Sequence, residues 1–184
     1  MKNVLIINGH PDMAQSNANK AILEKVKKLL PEVEISELGK LYPNYQFDVE
    51  AEQEKLMRSD VVVWQFPLYW YSLPALLKKW LDDVFLFGFA YGTEYKLEGK
   101  KLLLSFTVGI AEEAYQNGET GYSFTDLLHI HQQTANFTKI NFIEPVISYG
   151  MHYVPDVMPA EAFTELQQKA KTHAERLVAQ IKSL

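Results

Sequence analysis

The sequence predicts an α/β protein built on a doubly wound, five-stranded parallel sheet. Three observations carry that reading. Short apolar runs rich in β-branched residues alternate with segments of helical periodicity, five times in succession. The runs lack the in–out alternation of a half-exposed strand, so both their faces must be covered, as in a parallel sheet wrapped by helices. The length of 184 residues suits one domain, since domains commonly hold about 100–200 residues. With five strands, the expected order is 2-1-3-4-5.

Val4 to Ile7 forms the first buried strand. From Ala18 to Leu30, Ala18, Ile22, Val26 and Leu29 recur at helical spacing before Pro31. Val33, Ile35 and Leu38 alternate, predicting a second strand that ends at Gly39. A loop with Pro43 leads to Asp48, whose carboxylate suits the cap of an acidic helix reaching about Arg58. Val61 to Trp64 is the third strand, closed by Pro67. Pro74 opens a helix to about Leu86, because its missing amide costs nothing in a first turn. Leu102 to Phe106 is the fourth strand, closed by Thr107-Val108-Gly109. A glycine-containing loop precedes a helix over Phe124 to Ala135, and Ile140 to Ile147 is the fifth strand. The last helix starts near Pro159, with Phe163, Leu166, Ala170, Leu177, Val178 and Ile181 on its inner face. No repeat or linker divides the chain, so residues 1–184 are expected to form a single domain.

Composition narrows the chemistry. Eighteen Lys+Arg against 23 Asp+Glu give a net charge of −5, which argues against a nucleic-acid partner. Zero cysteines exclude disulfides, thiolate catalysis and thiolate-ligated metals, and no metal site is expected. Any redox chemistry must then reside on a bound cofactor. Only Lys2 and Asn3 precede the apolar run Val4 to Ile7, too short for a signal core or a membrane span, so a cytoplasmic protein is expected.

Ligands of open parallel sheets bind outside the carboxyl ends of the strands, at the switch point. The loop after strand one, Asn8 to Asn19, is long, becomes small and polar, and opens a helix. Helix-start amides favour a phosphate, with Ser16 and His10 as added donors. An equal reading is a capped helix start with a solvated histidine. The loop after strand three places four aromatics, Phe66, Tyr69, Trp70 and Tyr71, within six residues. Loops are usually polar, so a flat aromatic ligand is favoured over a buried plug, with a subunit interface compatible. The loop after strand four, Thr107 to Ile110, is small enough for backbone amides to approach a ring edge.

Gly9-His10-Pro11 with Ser16, then Pro67-Leu68-Tyr69-Trp70, Pro74-Ala75, Lys78 to Asp82, Phe87 to Gly92 and Thr107 to Tyr115, resemble the flavodoxin-like NAD(P)H:quinone oxidoreductases over nearly the whole chain. The likeness is to the compact bacterial branch, which includes the ancillary oxidoreductases of Kef potassium-efflux systems and general stress proteins. The resemblance implies that His10, Ser16, Asn17 and Ala18 hold flavin phosphates. It implies that Pro67, Leu68, Tyr69 and Trp70 lie along the isoalloxazine and ribityl chain, and that Thr107, Val108 and Gly109 meet the pyrimidine side. Tyr115 and the amide of Gly109 are the implied catalytic groups, stabilising charge on the reduced flavin. Tyr71, Tyr91 and Gly92 are the implied substrate contacts, with Tyr91 supplied by a second subunit of a homodimer. The implied cofactor is FMN, with FAD as the alternative, and NADPH or NADH is the co-substrate. A hydride would pass in two steps from nicotinamide through the flavin to a quinone-like acceptor.

The chain departs from the family pattern at two places. Val108 and Ile110 replace small residues of the third loop, and no histidine follows Tyr115 before Phe124, so the family's tyrosine–histidine relay is incomplete. His129 and His131, two apart on a helix, face different ways and read as ordinary helix residues. His152 follows strand five with no assigned role, and Glu112-Glu113 reads as solvated. Competing readings are a regulatory ancillary subunit of a Kef-type membrane transporter, peripheral at the inner face of the membrane, and an azo- or nitroreductase using the same flavin chemistry. A small one-electron carrier ranks lower because such proteins are more acidic. A receiver domain is excluded because Asn8-Gly9-His10 stands where its acidic pair belongs.

Overall fold

The computed structural model describes residues 2–116, 121 and 123–184. The strands are β1 (Val4–Asn8), β2 (Glu34–Glu37), β3 (Val61–Pro67), β4 (Lys101–Thr107) and β5 (Asn141–Ser148). They pair in parallel in the order β2-β1-β3-β4-β5, the flavodoxin-like order the sequence predicts. β3 is buried at every residue, as its unbroken apolar run requires.

The helices are α1 (Asn19–Leu29), α2 (Leu38–Leu41), α3 (Val49–Arg58), α4 (Ala75–Val84), α5 (Glu113–Gln116), α6 (Phe124–Thr138) and α7 (Ala160–Ser183). One face of the sheet packs against α3, α4 and α6 through Leu56, Leu76, Leu77, Trp80, Leu128 and Ala135. The other packs against α1 and α7 through Ile22, Val26, Leu166, Ala170, Leu177 and Ile181. Asp48 caps α3 as expected, its carboxylate accepting from the Ala51 amide at 3.0 Å; such a cap contributes about 1 kcal/mol. Ser123 and Asp126 form a reciprocal capping box on α6.

Several boundaries differ from the periodicity. The second strand stops at Glu37, and Leu38–Leu41 coil into α2. A Cβ on Gly39 would lie 2.7 Å from the Pro11 carbonyl oxygen, so this turn is pressed backbone-to-backbone against the first loop, a contact that local patterning cannot register. Pro74 sits just ahead of α4, which ends at Val84 rather than Leu86. The helix expected to end at Ala135 continues to Thr138 and stops where Lys139 turns left-handed (φ 58°). Phe163, placed on the inner face of the last helix by spacing, is 37 % exposed and leans on Tyr153 instead. The glycine-containing loop before α6 lies partly outside the described residues.

Both sheet edges are blunted. β2 has only four residues. β5 carries Pro145 and a bulge in which Glu144 and Pro145 oppose Leu104, and α7 covers two of its carbonyls, Arg176 donating to Ile147 and Gln180 to Glu144. These are recognised defences against strand addition. Near the β2 edge, the fully buried Glu52 carboxylate accepts from Ser36 Oγ, Tyr42 OH and Trp80 Nε1 and pairs with Lys55, tying α3 to β2 and α4. Burial and this carboxylate push the Tyr42 phenol well up. Removing one partner would leave a buried charge under-compensated, a costly change in a protein interior.

Candidate functional site

The loops after β1, β3 and β4 meet at the carboxyl end of the sheet, where the strand order reverses. The first loop is seated by two glycines. A Cβ on Gly9 would stand 2.6 Å from Leu77 Cβ, so α4 packs directly on the backbone here; Gly39 admits Pro11 from the other side. Within the loop, the Asn8 carboxamide oxygen accepts from the His10 amide at 3.1 Å, and His10 Nδ1 accepts from the Asp12 amide at 3.1 Å. That second bond leaves the ring proton on Nε2. Burial lowers the His10 pKa against the opposing pull of Asp12, so the ring is a neutral Nε2–H donor at pH 7. Ser16 Oγ accepts from the Lys20 amide at 3.2 Å, capping the first turn of α1 and keeping its own proton free to donate.

The amides of Asn17, Ala18 and Asn19 have no acceptor among the described residues. They are the orphan donors of a helix start, where the dipole also favours an anion. Ala18 is buried and offers backbone only, and the Asn17 carbonyl is held by Gln167 of α7 at 2.8 Å. The Asn8 carboxamide nitrogen is likewise buried without a partner. Capping and anion binding, alternatives from sequence alone, are therefore compatible: the cap consumes one lone pair of Ser16 and leaves every other donor free.

The second loop is a two-residue turn. The Tyr69 and Ser72 backbones exchange hydrogen bonds of 3.1 and 3.0 Å, with Trp70 and Tyr71 at the tip. Both tip residues adopt positive φ, 46° and 64°. This is the geometry Asn-Gly normally supplies, and forcing L side chains into it costs roughly 1–2 kcal/mol each. Trp70 is 92 % exposed, and Tyr69 and Tyr71 are about half exposed. Strained, exposed aromatics are poor core and poor loop, and fit a ligand platform. Behind them Phe66 is fully buried and stacks on Phe106 at 5.0 Å, Pro67 is buried, and the Leu68 amide donates to the Thr107 carbonyl. Tyr69 stands edge-on to His10 at 6.4 Å, joining the first two loops.

In the third loop, Val108 is buried, its amide bonded to the Ser148 carbonyl and its carbonyl to the Met151 amide. Val108 thus offers neither side chain nor donor to a ligand. Gly109 differs: it is exposed, its amide has no acceptor among the described residues, and a Cβ there would meet only His152 Cβ at 3.9 Å. His152, unassigned from sequence, therefore lies on the Cα side of Gly109. Tyr115 is buried on α5 against Phe124 and Tyr149, at 5.0 and 6.0 Å between rings. Burial, then the nearby Tyr71, raises its pKa, and Tyr149 is pushed up to about 12 by burial, Glu112 and Tyr115. Both phenols are neutral donors at pH 7. Glu112 and Glu113 are exposed.

Tyr91 is not brought to these loops within the chain. It packs with Phe87 and Phe137, at 6.0 and 5.2 Å, both of which are more than half exposed. Gly92 has φ 92°, and a Cβ there would strike the Phe87 ring at 2.4 Å. His129 is exposed while His131 is buried against Trp64 and Phe66, confirming opposite helix faces. A depression of about 880 Å³ between β5 and α7 is lined by Glu144, Glu165, Lys169 and Arg176 and borders the site along Ala111, Glu112, Ser148 and Tyr149. Among the described residues no cluster of His, Asp and Glu is arranged to hold a metal, and no helix is long and apolar enough to cross a membrane.

Sequence reasoning passed over His173. It is fully buried on α7, between Ser105 Oγ and Ser148 Oγ at 2.8 Å each. The available signal was its position on the apolar stripe of the last helix, between Ala170 and Leu177.

Comparison with known proteins places this architecture. A family model described as "Flavodoxin-like fold" matches residues 2–174. An uncharacterized NAD(P)H oxidoreductase, YrkL, of Bacillus subtilis (strain 168) is 38 % identical over 97 % of both chains. The glutathione-regulated potassium-efflux system ancillary protein KefF of Enterobacter sp. (strain 638) is 42 % identical over 81 % of this chain and 82 % of its own. General stress protein 14 of Treponema denticola, solved in complex with FMN, superposes with a TM-score of 0.84 at 31 % identity, over 96 % of this chain and 98 % of that one. The free donors at the start of α1, the aromatic turn and the open amide of Gly109 suit a flavin-binding oxidoreductase fold, and the chain belongs to the flavodoxin-like family that contains these bacterial NAD(P)H oxidoreductases, general stress proteins and Kef ancillary proteins.

Proposed function

We propose that this chain is an FMN-dependent NAD(P)H oxidoreductase that delivers a hydride to a quinone-like acceptor. The observation that carries the reading is the donor set at the first loop: three unpaired amides at Asn17, Ala18 and Asn19, joined by the free protons of Ser16 Oγ and His10 Nε2. A set of five donors with no cationic side chain suits a phosphate monoester held by a helix start. FMN is favoured over FAD because the solved relative from T. denticola holds FMN.

When bound, the flavin supplies the hydride-accepting and hydride-donating centre. The protein's part is positioning and electrostatics. Tyr69 and Trp70 offer apolar ring area, and the Leu68 amide ties the start of their turn to the Thr107 carbonyl. The Gly109 amide and the neutral Tyr115 hydroxyl are donors available to negative charge developing at the ring, the kind of preorganised stabilisation that lowers barriers most. The aromatic cluster of Tyr91 with exposed Phe87 and Phe137 supports a homodimer in which the partner's Tyr91 completes the acceptor pocket. A cytoplasmic location is part of the same proposal.

An absorbance spectrum of the purified protein, with the released flavin identified by mass, tests the cofactor. Bound FMN and NAD(P)H consumption with a quinone as sole acceptor are expected; a colourless protein that cannot be reconstituted with FMN refutes the reading. Turnover of azo compounds in place of quinones would redirect it to an azoreductase. The likeness to KefF supports a second role, as ancillary subunit of a membrane transporter. Co-purification with such a transporter tests it.

A further inference from the structure

Beneath the loops runs a buried chain of five hydrogen bonds that the proposed chemistry does not use. Ser148 Oγ meets His173 Nδ1 at 2.8 Å, and His173 Nε2 meets Ser105 Oγ at 2.8 Å. Ser105 Oγ donates to Gln65 Oε1 at 2.7 Å, Gln65 Nε2 to Asn19 Oδ1 at 2.6 Å, and Asn19 Nδ2 to Thr107 Oγ1 at 3.1 Å. Each of these residues except Ser148 is at least 95 % buried. The chain links α7, the ends of β3, β4 and β5, and the first residue of α1.

Its direction follows from counting protons. Ser105 has one hydroxyl proton, and it is spent on Gln65. Toward His173 it can therefore only accept, so Nε2 carries the imidazole proton. Nδ1 is then bare and must accept from Ser148. Reading onward, Thr107 Oγ1 receives the last bond from Asn19, and its own proton has no acceptor among the described residues. Reversing the tautomer would reverse every bond: Thr107 would donate inward, and its hydroxyl would face the site as an acceptor. Thr107 ends β4, two residues before the Gly109 amide, and Asn19 opens the helix whose start carries the free donors.

We infer that His173 is a positioning residue that, as the Nε2–H tautomer, sets the polarity of this chain and so presents the Thr107 hydroxyl to the flavin as a donor. The inference rests on the proposed flavin site. The reduced ring carries more negative charge than the oxidised ring, so a donor stabilises it more and raises the reduction potential; losing the donor lowers that potential.

Two measurements test this. Nitrogen-15 NMR of histidine-labelled protein, with and without FMN, is expected to show His173 protonated at Nε2 in both states; an Nδ1–H signal overturns the inference and leaves the flavin reading untouched. The potential of bound FMN is then measured in Thr107→Val, His173→Phe and the double variant. Both single changes are expected to lower it, and the double variant to go no lower than Thr107→Val alone. Ser148→Ala, which frees Nδ1 and spares the core, is expected to lower it by a smaller step, and His173→Gln, which keeps a donor and an acceptor, to recover part of the His173→Phe loss. Fully additive shifts, or an unmoved potential in both His173→Phe and Ser148→Ala, refute the link. Wild-type protein that binds no FMN sinks the flavin reading and this one together, whereas bound FMN at an unmoved potential sinks only this one.

Discussion

The two faces of the sheet are filled by different chemistry, and each buries one histidine. The face under α3, α4 and α6 is aromatic: Trp64, Phe66, Trp80, Phe85 and Phe106 are all buried there. The face under α1 and α7 is aliphatic, built from Ile6, Ile22, Val63, Leu103, Leu177 and Ile181. On the aromatic face, His131 sits edge-on to Trp64 at 6.4 Å and has no hydrogen bond among the described residues. On the aliphatic face, both ring nitrogens of His173 are bonded. Burial lowers both pKa values, to about 4 for His131 and about 3 for His173, where Arg176 adds to the effect. The contrast teaches that burial and a lowered pKa do not separate a space-filling histidine from a connecting one. The bonding partners do.

Acid should expose both histidines at once. In the unfolded chain each imidazole takes a proton near pH 6.5, while in the fold each stays neutral to about pH 4 and about pH 3. Their contribution is therefore complete above pH 6.5 and is lost as pH falls toward the folded values. The expected slope is about 1.4 kcal/mol per pH unit for each histidine. Urea melts at pH 7, 6 and 5 should show this loss, and His131→Phe should remove one histidine's share of the slope. An unchanged slope in that variant would mean that His131 is protonated in the fold.

At pH 7 the two sites should part. His173→Phe strands the Ser148 hydroxyl and removes the donor to buried Ser105, for a cost of about 1–3 kcal/mol. His131→Phe replaces one planar ring by another in an aromatic cluster and should change stability by less than about 1.5 kcal/mol. Equal losses in denaturant midpoints would erase the distinction. The smallest effect concerns the strained turn. Trp70→Asn with Tyr71→Gly supplies residues suited to positive φ and should stabilise the fold by about 1 kcal/mol. The same change should weaken FMN binding, read by fluorescence titration; undiminished affinity would show that the aromatic tip does not contact the cofactor.

Much of the fold was legible because periodicity reports burial. The unbroken run of β3 announced a strand covered on both faces, and Asp48 announced its cap. The three loops could be nominated because strand order fixes where ligands bind. The strain of Trp70 and Tyr71 was not legible, since no local pattern announces a type of turn normally made by Asn-Gly. Nor was the inward turn of Val108, which looks from sequence like any other loop residue, or the coiling of Leu38–Leu41, which depends on Gly39 meeting Pro11 across 28 positions (39 − 11).

The sequence by itself determined the alternation of strands and helices, the absence of thiol chemistry, and the concentration of aromatics and small polar residues at three strand ends. These are properties of composition and of spacing within a few residues. The tertiary structure decided which donors remain free, which tautomer His10 holds, and that His173, 68 positions from Ser105, completes a chain of polar contacts below the site. Such features depend on hydrogen-bond partners brought together by sheet register and helix packing, and a one-dimensional pattern carries no record of which distant groups will compete for the same proton.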